Sequence, residues 1–219
     1  MAVTVPSLPE LPTIADLIEH LGGIPSRRIR FRPTPGTATE RDVTELHDRE
    51  NRLFELVDGV LVEKAMGFYE SALAAILLSA LNRFAEEHDL GLVLGADGTM
   101  RLAPGLVRIP DVSFIAWDRL EGIDRRQPIP DLAPSLAVEV LSRGNTRREM
   151  QRKCREYFQA GVELVWTLDP EARRMTVHTS PEQWTAIDES GALDGGRVLP
   201  GFSLPLCDVF ARADRHRAE

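Results

Sequence analysis

Pro134-Ser135-Leu136-Ala137-Val138-Glu139-Val140-Leu141-Ser142 is the stretch on which the reading of this chain turns. Leu136 to Leu141 is a short apolar run bounded by Pro134 and Ser142, the pattern of a buried strand. A single carboxylate, Glu139, interrupts it. An ionised carboxylate taken out of water without a partner is very costly, so Glu139 requires a cation beside it. Two sources stand open at this point: a bound metal ion, or the basic helix that begins a few residues later.

Thr146 and Glu149 form a capping box, and the spacing predicts a helix from Arg147 to Ala160 with Gly161 as its stop. At ~100° per residue, Met150, Cys154, Tyr157 and Phe158 share one face, while Arg148, Arg152 and Arg155 fall opposite. Lys153 lies at the border, within reach of the sheet. Of the 26 basic residues only Lys64 and Lys153 are lysines. Lysine is a compact charge whose proton affinity is readily tuned, whereas arginine stays protonated, so a lysine amid arginines points to an amine with a task.

Upstream, Arg108-Ile109-Pro110-Asp111 leads into a strand over 112–117. Leu53 to Glu63 reads as a hairpin around Asp58-Gly59, with Glu55 and Val57 on one face and Phe54 and Leu56 on the other. Residues 68–87 carry a broad apolar stripe and predict a long core helix. Short strands follow over 92–94 and 98–102, and 118–133 is a charged surface loop. Beyond the Arg147 helix, 163–168 and 174–179 read as a paired hairpin, and short strands and turns continue to about residue 210. Before all this, Thr13 to Leu21 predicts a helix closed by Gly22-Gly23. Residues 1–12 form a Pro-rich arm, and 24–41 an arginine-bearing loop or extended arm. The division expected is an N-terminal helix and arm over 1–45, a main domain over 46–212 and a tail over 213–219. The fold class is α/β, a central mixed β-sheet flanked by helices.

Asp111 and Glu139 sit on strands expected to be neighbours, ~5 Å apart. Two such carboxylates can share Mg²⁺, which accepts one or two protein carboxylates and keeps positions for water and phosphate. A lysine alongside can orient or deprotonate the attacking water and offset charge growing on a phosphoryl group.

Pro110-Asp111, Glu139-Val140-Leu141-Ser142, Lys153 and Tyr157, in this order, resemble the PD-(D/E)XK nuclease pattern. With Phe54-Glu55-Leu56-Val57-Asp58-Gly59, Val165-Trp166-Thr167-Leu168-Asp169-Pro170 and Leu199-Pro200-Gly201-Phe202, they resemble more narrowly the Uma-two family of restriction endonucleases. The resemblance implies a restriction-endonuclease-like fold and cleavage of DNA dependent on Mg²⁺ or Mn²⁺. It makes Asp111 and Glu139 metal ligands, Lys153 the catalytic lysine and Glu55 an additional acid. The superfamily lysine usually stands two residues after the glutamate; Leu141 occupies that place here, and the role passes to Lys153. Relatives often carry a histidine near the start of the long helix, where this chain has Tyr69-Glu70, and Glu70 is the candidate helical acid. Cleavage of both strands calls for a homodimer. Two other readings are a catalytically inactive nuclease-fold module that binds DNA or a protein partner, and a hydrolase of smaller phosphoesters.

The bulk numbers narrow the field further. A net charge of −8 over 219 residues argues against a protein that coats nucleic acid non-specifically. The longest apolar run, 72–81, is too short to cross a bilayer, and no secretory signal is apparent, so a cytoplasmic protein without a membrane partner is expected. Cys154 and Cys207 form no metal motif and read as buried apolar fillers; the five histidines are scattered, and none is assigned to metal.

Overall fold

The computed structural model describes residues 12–64 and 66–215. The Pro-rich arm lies outside them save for Pro12, as does the tail from 216 onward. In chain order the strands are β1 (Ile29–Arg30), β2 (Phe54–Val57), β3 (Val60–Glu63), β4 (Gly91–Leu94), β5 (Met100–Ala103), β6 (Leu106–Arg108), β7 (Val112–Ala116), β8 (Leu136–Val140), β9 (Leu164–Asp169), β10 (Arg174–His178), β11 (Trp184–Asp188), β12 (Ala192–Asp194) and β13 (Ser203–Pro205). The helices are α1 (Ile14–His20), α2 (Glu40–Glu50), α3 (Phe68–Glu87), α4 (Arg147–Gln159) and α5 (Leu206–Ala213).

The expected mixed sheet is present, in the order β11-β10-β9-β8-β7-β4, with β8 and β9 parallel and every other pair antiparallel. The sequence reading has one sheet, but the structure has two: a first, antiparallel sheet in the order β1-β3-β2-β6-β5 precedes the mixed one, which is the second, and β12 and β13 form a ribbon. The difference arises at Arg108–Asp111. These residues read as the lead-in to one strand. In fact β6 ends the first sheet at Arg108, and the chain crosses at Ile109-Pro110 to begin β7 in the second. Proline has no N–H to give to a ladder, so it suits this break.

β8 obeys the two-residue alternation of a strand. Leu136, Val138 and Val140 enter the main core with Leu73, Leu77 and Leu81 of α3 and with Trp166, Phe202 and Phe210. Ala137 faces the other way, against Tyr157 of α4 and Val165. Glu139 shares that second face by parity. Each large apolar side chain fully buried in the main core contributes ~1.5–3 kcal/mol relative to exposure. The first sheet is likewise covered on both faces. Phe54 and Leu56 pack with Val43 and Leu46 of α2, and Val57 and Val62 with Leu17 and Leu21 of α1. Glu55 therefore lies in a strand buried along its whole length.

The segment 24–41, expected as a loop or arm, is tied to the body instead. Arg28 is buried, donates to the carbonyls of Glu63 (3.0 Å) and Gly144 (2.9 Å), and pairs with Glu149. Arg30 forms a two-pronged pair with Glu50. Helix α2 runs across residue 45, where the sequence reading ends its N-terminal arm. Among the described residues no helix is long and apolar enough to cross a membrane.

The end of α1 meets the start of α4 backbone to backbone. Gly22 has φ +89°, and a Cβ there would stand 2.7 Å from the Glu149 amide nitrogen. The Thr146 hydroxyl, which caps α4, donates to the Gly22 carbonyl. Gly22→Ala is expected to destabilise the protein by at least ~1–2 kcal/mol, from the left-handed backbone and the clash together. Urea unfolding of the two proteins measures it, and equal midpoints would refute the close approach.

Candidate active site

The β7–β8 ladder ends at the pair Val112–Val138, and Asp111, the residue before β7, lies beside Glu139 at that end, near enough for the two charges to act on each other. The Asp111 N–H donates to the Val138 carbonyl at 3.0 Å, and the Val140 N–H donates to Asp111 Oδ2 at 2.7 Å. One oxygen of Asp111 is thus fixed by the backbone.

Lys153 descends from α4. Its ammonium lies 3.0 and 3.2 Å from the two oxygens of Glu139 and 3.0 Å from Glu55 Oε1. Glu55 belongs to the first sheet and Glu139 to the second, so one ammonium spans the joint between them. The Tyr157 hydroxyl, one turn along α4, donates to Glu139 Oε1 at 2.5 Å. The structure therefore brings together Glu55, Asp111, Glu139 and Lys153, the four residues singled out from the sequence. They are nearly inaccessible, at 1, 5, 4 and 4% exposure respectively. Glu70 is not among them. Its carboxylate lies beside Gly67 at the start of α3, and none of the hydrogen bonds or ion pairs of the cluster involves it.

The electrostatics follow from that burial. Loss of water pushes the Glu139 carboxyl above its ordinary range; Lys153 opposes this, while the charges of Asp111 and Glu55 add to it. Burial also pushes Glu55 upward, but Lys153 and Arg108 outweigh it and hold Glu55 below the usual carboxylate range. Lys153 is disfavoured as an ion by burial, yet Glu139 and Glu55 keep its proton affinity above that of a free lysine. Tyr157 is held well above the ordinary phenol range by burial and by the Glu139 charge. In this arrangement Lys153 donates charge and hydrogen bonds rather than accepting a proton.

Two participants were missed by the sequence reading. Arg108, 3% exposed, donates to Glu55 Oε2 at 2.7 Å and to Glu156, while the Ile109 N–H donates to Glu55 Oε1 at 3.2 Å. Lys64, just past β3, pairs with Asp111 Oδ1 at 2.9 Å and donates to the Ile109 carbonyl at 2.6 Å. The signal for Lys64 was its rarity: both lysines of the chain meet in this one cluster. Arg108 carried no such mark among so many arginines. A third correction concerns Arg152, expected on the outward face of α4. It donates to Glu156 at 2.7 Å, Asp58 at 2.6 Å and the His20 carbonyl at 2.8 Å. The inward face of α4 carries Glu149, Lys153 and Glu156 beside Cys154 and Tyr157, so it is charged as well as apolar. Burial pushes the Cys154 thiol up to about 11, and Cys207 is exposed rather than buried.

The donor set suits a small hard cation. Among the described residues no group of three or more His, Cys, Asp and Glu side chains is disposed to hold a metal. Asp111 and Glu139 remain as two neighbouring oxygen donors, which is what Mg²⁺ asks of a protein when water and phosphate complete its shell.

Two sheets that meet at a cluster of carboxylates and lysines, with α4 laid across the joint, define a nuclease-type α/β fold. The structure is similar to the crystal structure of "a putative nuclease belonging to DUF820" from Anabaena variabilis, with a TM-score of 0.66, 17% sequence identity, and coverage of 74% of this chain and 91% of that one. At that identity the likeness concerns the fold. A family model described as "Putative restriction endonuclease" matches residues 41–207, and the chain belongs to that family, Uma2. The resemblance read from the motifs is therefore correct. No curated protein matches the sequence.

The cluster predicts unequal outcomes for its two halves. Lys153→Met leaves Glu55 and Glu139 buried without their shared ammonium, and is expected to cost ~3–5 kcal/mol. Glu139→Gln keeps one oxygen to accept from Tyr157 and Lys153 but sets an amide NH₂ against the ammonium in place of Oε2, and is expected to cost ~1–3 kcal/mol, less than Lys153→Met. Chemical denaturation of both variants tests the pair; a Lys153→Met protein as stable as the parent would show that the ammonium does not hold the joint.

Proposed function

We propose that this chain is a Mg²⁺- or Mn²⁺-dependent endonuclease that hydrolyses DNA phosphodiester bonds in the cytoplasm, with water as the nucleophile. The observation that carries the reading is the Lys153 ammonium within 3.2 Å of both Glu139 oxygens, with Asp111 held beside Glu139 by the Val140 N–H. Membership of a restriction endonuclease family supports it.

Asp111 and Glu139 would hold the cation, which when bound supplies positive charge to the phosphodiester. The chain's own residues do the rest. The Val140 N–H fixes Asp111, and the Tyr157 hydroxyl fixes Glu139. Lys153 presents its ammonium to the charge that grows on the phosphoryl oxygens as the P–O bond breaks. Glu55, itself gripped by Arg108, acts through Lys153 by holding the ammonium in place. A homodimer would supply the two sites needed to cut both strands.

One observation favours a second reading, a nuclease-fold module that binds DNA or a protein without cutting. The carboxylates are almost wholly buried and already face Lys64 and Lys153. Plasmid nicking separates the two. With Mg²⁺ or Mn²⁺ the parent is expected to convert supercoiled DNA to open circles. Glu139→Gln, chosen because it is isosteric and keeps one oxygen to accept from Tyr157 and Lys153, is expected to be slower by at least ~10²-fold. Cleavage that survives this substitution refutes the assignment, and a parent that never nicks supports the binding module.

A further inference from the structure

Lys64 has no part in the reading above, yet it occupies a decisive place. Asp111 has two oxygens. Oδ2 is taken by the Val140 N–H at 2.7 Å, and Oδ1 lies 2.9 Å from the Lys64 ammonium. A cation that coordinates Asp111 through Oδ1 meets an oxygen that Lys64 already serves. We propose that Lys64 is the exchangeable counter-ion of the site: it occupies the Asp111 position in the ion-free protein and is displaced from it when a divalent cation binds. The inference rests on the metal-dependent reading of Asp111 and Glu139 and adds a competitor built into the chain.

Two observations favour Lys64 over Lys153 as the group that yields, and a third, the choice of lysine over arginine, suits either to let go. Lys153 is held on two carboxylates at once, in two different sheets, while Lys64 holds one carboxylate and one carbonyl. Lys64 hangs from the end of β3, its backbone fixed by a bond from its N–H to the Leu53 carbonyl at 2.9 Å, so the side chain can pivot on a stationary base. It is also lysine where the chain otherwise uses arginine. An arginine fork would clamp the carboxylate at two points, whereas an ammonium on a flexible four-carbon stem grips at one and lets go.

Electrostatics points the same way. A divalent cation bound with Lys64 still in place would set two cations on Asp111 Oδ1 in a buried site, whereas withdrawal of Lys64 removes one unit of that like charge, so exchange costs less than addition.

The test is isothermal titration calorimetry of the full chain with MnCl₂, comparing the parent with Lys64→Gln and Lys64→Arg. Lys64→Gln removes a competing unit charge and is expected to bind Mn²⁺ at least ~10-fold more tightly. Lys64→Arg is expected to bind more weakly than the parent, and serves if the glutamine variant fails to fold. Asp111→Asn is expected to abolish binding in every background. Parent-like or weaker binding by Lys64→Gln, or parent-like or tighter binding by Lys64→Arg, overturns the role of Lys64. If Asp111→Asn still abolishes binding in that case, the metal reading stands without it. If Mn²⁺ binds neither the parent nor any variant, both readings fall.

Discussion

The structure depends on a single ammonium placed where two sheets meet. Lys153 touches Glu55, from the middle of the antiparallel sheet, and Glu139, from the interior of the mixed sheet. Hydrophobic burial holds each sheet to its own helices, α1 and α2 on one side and α3 and α5 on the other. It is non-directional, and it does not set the angle or offset between the two halves. Ion pairs with fixed partners do. Arg108, at the last residue of β6 before the crossing, supports the same joint by gripping Glu55 and Glu156.

A joint built from charge differs from one built of leucine. A buried pair gains little over an apolar replacement, and its strength shows only when one member is removed. The arrangement therefore suits a place where carboxylates are needed for another reason. Under the metal-dependent function proposed above, the two acids have to be kept from each other's repulsion, and the lysines and Arg108 supply the opposing charge. The cost of burial is spread over a network that runs on through Glu156 and Arg152 to Asp58 and His20.

Much of this was legible in the chain. The apolar stripe of α3 and the capping box of α4 place those helices almost to the residue, because both signals are local. The buried glutamate, the acid before it and the lysine after it could be assembled because an acid in an apolar run demands explanation. Other parts carried no local mark. Helix α2, with the sequence ERDVTELHDRE, presents only Val43 and Leu46 to the core; its stripe is too thin to read. The first sheet was invisible because β6 is three residues long and its pairing with β2 is distant in sequence. Arg28 and Arg152 looked like solvated charges because their partners, Glu149 and Asp58, are far along the chain. Lys64 carried the one available clue, scarcity, and that clue applied equally to both lysines.

The contact between the N-terminal segment and α4 has a consequence for how the molecule comes into being. Arg28 and Glu149 are 121 residues apart, and Glu55 meets Arg108 and Lys153 only after long spans of chain have been made. Closing such distances is slow relative to forming a helix or hairpin. Each of the three carboxylates leaves water at low cost only once a residue distant in the chain has brought a cation beside it, so the burial of these acids is tied to the long-range contacts of the fold.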